Sequence, residues 1–101
     1  MLDTIEKLLV SAKILHSIGH STRLAILILL YQEGSLNVGQ VRDALKLEQS
    51  QTTRHLNKLL QVKVIKRERI GKFVFYSIHF NEFEKLLYCL KCIIEKDKNR
   101  L

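Results

Sequence analysis

Proline and tryptophan are absent, methionine occurs once, and 101 residues hold only four glycines and two cysteines. Proline removes a backbone donor and clashes with the preceding turn, so its absence favours a mainly helical chain. Two cysteines are too few for a disulfide framework and point to a reducing compartment. Long hydrophobic runs are also missing. The longest spans residues 24–31, well short of the ~20 needed to cross a bilayer. No basic segment followed by an apolar one opens the chain, so no signal peptide is read. A cytoplasmic location without membrane contact is expected.

The composition is 47% hydrophobic and 27% charged, which excludes disorder and fits one globular domain over residues 1–101. The net charge is +7, and acids are scarce in one place. Residues 46–72 carry Lys46, Arg54, Lys58, Lys63, Lys66, Arg67, Arg69 and Lys72 against Glu48 and Glu68 alone, a local surplus of +6. A solvated face usually mixes both signs. A one-signed segment is better read as a surface that contacts phosphates, and the whole-chain charge points to an anionic partner.

Asp3 with Glu6 reads as a capping box opening a first helix, in which Ile5, Leu8, Leu9, Ala12, Leu15 and Ile18 recur at helical spacing. Gly19 stops it. Ser21 caps a second helix running through Gln32, apolar almost all round between Leu24 and Leu30 and therefore central, with Gly34 ending it. Ser35-Leu36 is an extended link. Asn37 with Gln40 is a second capping box, opening a short helix to about Leu45 with Val38, Val41, Ala44 and Leu45 inward. Lys46-Leu47 turns into a fourth helix from Gln49 to Gln61 that buries Leu56, Leu59 and Leu60. Residues 37–61 thus form a helix-turn-helix.

The period then changes. Residues 62–69 alternate, residues 73–78 are β-branched and aromatic, and Ile70-Gly71-Lys72 joins them, so 62–78 is a β-hairpin. Asn81 caps a last helix striped by Phe83, Leu86, Leu87, Leu90, Ile93 and Ile94, and the charged tail from Glu95 to Arg100 is expected to fray. The fold class is mainly α with a β-hairpin wing: a five-helix winged helix-turn-helix. Such a unit suits duplex DNA, with a helix in the major groove and the hairpin tip on the neighbouring backbone or minor groove.

Three segments carry a resemblance. They are His20-Ser21-Thr22-Arg23-Leu24-Ala25-Ile26-Leu27, Gln49-Ser50-Gln51-Thr52-Thr53-Arg54-His55-Leu56, and Arg67-Glu68-Arg69-Ile70-Gly71-Lys72-Phe73-Val74-Phe75-Tyr76-Ser77. In this order and spacing the chain resembles the ArsR/SmtB family of winged-helix repressors, from about Leu15 to Ile78. It departs at Glu48, where the family has a serine cap, and at Lys63, where it has a glycine. A positive φ at Lys63 would be strained. The resemblance implies a sequence-specific transcriptional repressor. Its first and last helices (1–19 and 81–97) would pair across a two-fold axis, and the homodimer would match a palindromic operator.

Gln49, Ser50, Thr53 and Arg54 open the fourth helix, where a helix-turn-helix faces base edges. Gln49 suits adenine, and Arg54 suits guanine or a phosphate. Ser50 and Thr53 either reach DNA or cap and pack the helix. His55 is either a contact or a partly buried wedge under the wing. Lys58 joins the helix's cationic set, while Arg67, Arg69 and Lys72 supply phosphate contacts from the wing. Arg23 is expected to form an internal salt bridge, and His79 to be structural.

Many relatives sense metals, and this chain lacks the ligands that the resemblance would require. Asn37 and Gly39 replace one cysteine pair, and Phe80, Glu82, Ile93 and Lys96 replace a site in the last helix. No metal or cofactor is assigned. Besides His16 and His20, Cys89 and Cys92 remain and leave two readings: small apolar side chains, or a metal- or thiol-responsive site that His16 would join from the first helix. An enzyme is not expected, because no phosphate-binding glycine loop or nucleophile elbow occurs. A winged-helix protein-interaction module is the remaining alternative to DNA binding.

Overall fold

With no proline to punctuate it, the chain ends its first two helices at Gly19 and Gly34. The computed structural model describes residues 2–96. They run α1 (Leu2–Ile18), α2 (Ser21–Glu33), β1 (Leu36–Asn37), α3 (Val38–Leu45), α4 (Gln49–Gln61), β2 (Ile65–Ile70), β3 (Phe73–Ile78) and α5 (Phe83–Lys96). The winged helix-turn-helix order is present. Its sheet has three antiparallel strands in the order β1-β3-β2, because Leu36, read as part of an extended link, and the cap residue Asn37 pair with Tyr76 and Phe75.

The Asn37 capping box forms as read. The side chain accepts from Gln40 N–H at 2.9 Å and Gln40 Oε1 accepts from Asn37 N–H at 2.9 Å. Three other starts differ from the sequence reading. α1 already includes Leu2, so Asp3 lies within its first turn and not at the cap. The cap of α2 is His20, whose Nδ1 accepts from Thr22 N–H at 3.1 Å, and Ser21 is the first helical residue. α5 begins one turn position later than an Asn81 cap allows, since Leu86 N–H closes on the Glu82 carbonyl. α4 starts after Glu48, which makes no side-chain cap. Glu95 and Lys96 are helical, and the remainder of the expected fraying tail lies outside the described residues.

Gly19 donates to the Leu15 carbonyl as α1 ends, and a Cβ there would sit 2.9 Å from that oxygen. Among the described residues two left-handed positions are not glycine: Lys46, at φ 56, closes α3, and Lys63, at φ 61, leads into the wing.

The core centres on α2, whose Ile26, Leu27 and Leu30 are fully buried. Val41 from α3, Leu56 and Leu59 from α4, Ile65 and Tyr76 from the sheet, and Phe83 from α5 close around them. Truncating Leu27 or Leu59 to alanine should cost about 2–5 kcal/mol. Ala44, expected inside, is exposed. α1 and α2 meet at 88°, and no single described helix is long and apolar enough to cross a membrane.

The terminal helices are only half covered. α1 packs through Ile14 and Ile18, while Ile5, Leu8, Leu9 and Leu15 face outward, Leu8 at 68% exposure. α5 is anchored by Phe83, but Tyr88, Leu90, Ile93 and Ile94 are exposed.

Candidate nucleic-acid interface

α4 is amphipathic by position. Thr52, His55, Leu56 and Leu59 are buried, and Thr52 Oγ1 donates to the Glu48 carbonyl at 2.8 Å. At 100° per residue the opposite face comprises Ser50, Thr53, Arg54, Asn57, Lys58 and Gln61, all exposed. Ser50, Thr53 and Arg54 are therefore open to a partner, and they are not packed. Asn57 sits in the middle of this face. It was missed, although its spacing of seven from Ser50 and four from Thr53 is a helical signal.

Gln49, at the start of α4, is exposed and its side-chain oxygen accepts from Arg42 Nη1 of α3. Arg42 also donates from Nε to Asp43 at 2.9 Å, an interaction that holds the Asp43 carboxyl below its ordinary range. Arg42 and Gln49 line one groove with Gly39, Lys72 and Phe73, so the front of the helix-turn-helix and the tip of the wing share a concave surface. No carboxylate lines it.

The wing is a tight hairpin. Ile70 pairs with Phe73 across a two-residue turn of Gly71 and Lys72, with Gly71 at φ 63. Cross-strand partners share a face of the sheet. Arg67 opposite Tyr76 and Arg69 opposite Val74 lie on the face that buries Ile65 and Tyr76, whereas Lys66 and Glu68 lie on the other. Arg69 Nε donates to the Gly71 carbonyl at 3.2 Å, and Lys72 Nζ stands 5.9 Å from the centre of the Phe73 ring. Arg67 lies beside Asn57 and Gln61 at the far end of α4.

Two expected residues have further surroundings. Lys58, at the edge of the exposed face, also borders a second groove, between α1 and α4, together with Lys13, His16 and Arg23. His55 is buried at 5% exposure, with its ring against that of His20 ahead of α2. It is a packed residue, because its position in α4 falls on the same stripe as Thr52 and Leu59. Its Nδ1 accepts from Arg23 Nε at 3.3 Å, and Arg23 Nη1 donates to the Ser17 carbonyl at 3.1 Å. Arg23 thus braces a histidine and a carbonyl, in place of the salt bridge expected of it. Burial, followed by the charges of His20, Arg23 and Arg54, holds the His55 imidazole below its ordinary value.

Cys89 is exposed and Cys92 half-buried on α5. Among the described residues no three His, Cys, Asp or Glu side chains converge as a metal site.

The model of the MarR family matches residues 20–70, from the start of α2 through β2. The transcriptional repressor PagR of Bacillus anthracis is 39% identical over 82 residues, covering 81% of this chain and 82% of PagR. Its crystal structure aligns with a TM-score of 0.75 at 37% identity, over 85% of this chain and 98% of that one. The arsenic resistance transcriptional regulator ArsR1 of Pseudomonas putida is 34% identical over 58 residues, 57% of this chain and 45% of ArsR1. A homodimeric winged helix-turn-helix DNA-binding domain from Mycobacterium bovis, a possible ArsR-family regulator, shares the fold at TM-score 0.81 and 21% identity, over 91% of this chain and 84% of that one. With half its length inside the family model and PagR matched over four-fifths of both chains, the chain belongs to the MarR family, as a winged helix-turn-helix transcriptional regulator.

Proposed function

We propose that this regulator is a cytoplasmic, non-enzymatic repressor of ArsR/SmtB-like type that binds a palindromic operator as a homodimer. Residues 37–61 read the major groove, 62–78 hold the backbone, and 1–19 with 81–97 join the protomers. Gln49, Ser50, Thr53, Arg54 and the added Asn57 face bases. Arg42, Arg67, Arg69 and Lys72 position the phosphates. The observation that carries this reading is the single groove joining Gln49 and Arg42 to Lys72, with two cations and no carboxylate in its lining. The likeness to ArsR1 and the three family-like segments favour the ArsR/SmtB-like type.

The test is titration of a fluorescent duplex, selected by the protein from a random pool, across a range of salt. A steep decline in affinity with salt is expected, because phosphate contacts release counterions. Lys72→Ala should flatten the logarithmic slope by roughly one unit, and Arg54→Ala should cost ~1–3 kcal/mol on the selected duplex and relax its specificity. Binding that is absent, or indifferent to salt, would move the reading to a protein-interaction module.

A further inference from the structure

An ionisable side chain buried on the inner face of α4 is an unusual choice where leucine would pack. His55 is held by geometry that depends on its protonation. Its Nδ1 is the acceptor for Arg23 Nε, and the same guanidinium reaches back to the Ser17 carbonyl, so one side chain ties the end of α1 to α4. On its other side lies the ring of His20, 4.8 Å away between centroids and tilted by 50°. The His20 Nδ1 in turn accepts from Thr22 N–H to cap α2. Both imidazoles act as acceptors at Nδ1, so both bonds require that nitrogen to be unprotonated.

The surrounding charges have one sign. His20 faces His55 from ahead of α2, Arg23 from α2 and Arg54 from α4 itself, and among the described residues no acid acts on the ring. Arg23 also borders the groove that holds Lys13 and His16 of α1 and Lys58 of α4. A proton at His55 would replace an acceptor with a second donor facing Arg23, away from bulk water.

We propose that Arg23, His55 and His20 form a proton-sensitive bracket that positions α4, so that DNA affinity falls as the bracket takes up a proton. The inference rests on the DNA-binding reading above. Its sign sets it apart. Acid adds positive charge to the exposed surface, which alone would tighten binding to phosphates. The bracket acts in the opposite direction, and on the acid side of an ordinary imidazole.

The experiment measures affinity for the selected duplex between about pH 8 and about pH 5.5, at fixed salt, with circular dichroism confirming that the fold persists across the range. Each protein is compared with itself. Wild type should weaken by roughly three- to tenfold in acid, the scale set by one titrating group. His55→Asn, which keeps an acceptor for Arg23 but cannot take up a proton, should hold its affinity or tighten. His20→Asn, at an exposed position where asparagine is a favoured cap, removes a neighbour whose charge acts on the His55 ring, so it should change the response, and it covers the case in which the buried variant fails to fold. His16 and His79 are common to all three proteins. A wild type that tightens in acid, or variants with the wild-type profile, would overturn the bracket. Absence of binding at every pH would overturn the DNA reading itself.

Discussion

The Arg42 guanidinium donates to the side-chain oxygen of Gln49 across the turn between α3 and α4. This bond fixes the amide: its oxygen is turned toward Arg42, so its NH₂ is the end free to meet a base. Donation to an acceptor such as a purine N7 is then favoured over acceptance from an exocyclic amine. Arg42→Ala should let the amide rotate, costing about 1 kcal/mol on the preferred duplex and blurring the preference at one base position. Arg42→Lys keeps the charge but not the planar fork. If both variants retain the wild-type sequence preference in a selection experiment, Gln49 is oriented by something else.

Local features of this kind were legible in the sequence to very different degrees. The Asn37–Gln40 box, the bounds of α4 and the Gly71 hairpin depend on neighbours three or four positions apart, and they formed where spacing placed them. The caps at His20 and Glu82 were misread because imidazole and a bare backbone carbonyl compete poorly with nearby Ser21 and Asn81 in any propensity argument. β1 is two residues long and exists only because β3 returns beside it. In the candidate interface, the exposed face of α4 followed from periodicity. The Arg42–Gln49 and Arg23–His55 bonds did not, since they join residues 7 and 32 positions apart through tertiary packing.

Lys63 holds φ 61 at the entry to the wing, in a region where a Cβ crowds the following carbonyl. Glycine would relieve that strain and give back part of the gain through the greater freedom of the unfolded chain. Lys63→Gly should therefore stabilise by about 0.5–1 kcal/mol, read as a rise of a few degrees in the thermal midpoint. An unchanged or lower midpoint would show that the lysine makes a compensating contact.

Stability should also depend on the His55 proton. Its folded pKa lies below the ordinary 6.5, so as pH falls through 6.5 the unfolded chain takes up the proton first. The contribution is fully present above about 6.5 and is lost as pH drops toward the folded value. Thermal midpoints of wild type should fall across that window, and those of His55→Asn should fall less. Parallel curves for the two proteins would place the acid sensitivity in other groups.

The exposed apolar stripes bear on assembly. On α1, Ile5, Leu8 and Leu15 stay exposed beyond Ile14 and Ile18, which pack inward, so a second surface must cover them for the stripe to leave water. Tyr88 and Ile93 present the same problem on α5. In a two-fold dimer each substitution appears twice. If Leu8 or Ile93 is covered there, its burial contributes roughly 1.5 kcal/mol or more per copy, so a charge at either position should weaken association about 100-fold or more. Leu8→Glu and Ile93→Glu should therefore sediment as monomers at concentrations where wild type is a dimer. Both side chains are already exposed in the single chain, so helix content and the α2 core should be preserved. The monomers should also bind a palindromic duplex more weakly, since two linked half-site contacts become one. A variant that stays dimeric with Glu at both positions would place the interface elsewhere and leave the two stripes without a partner of the same chain.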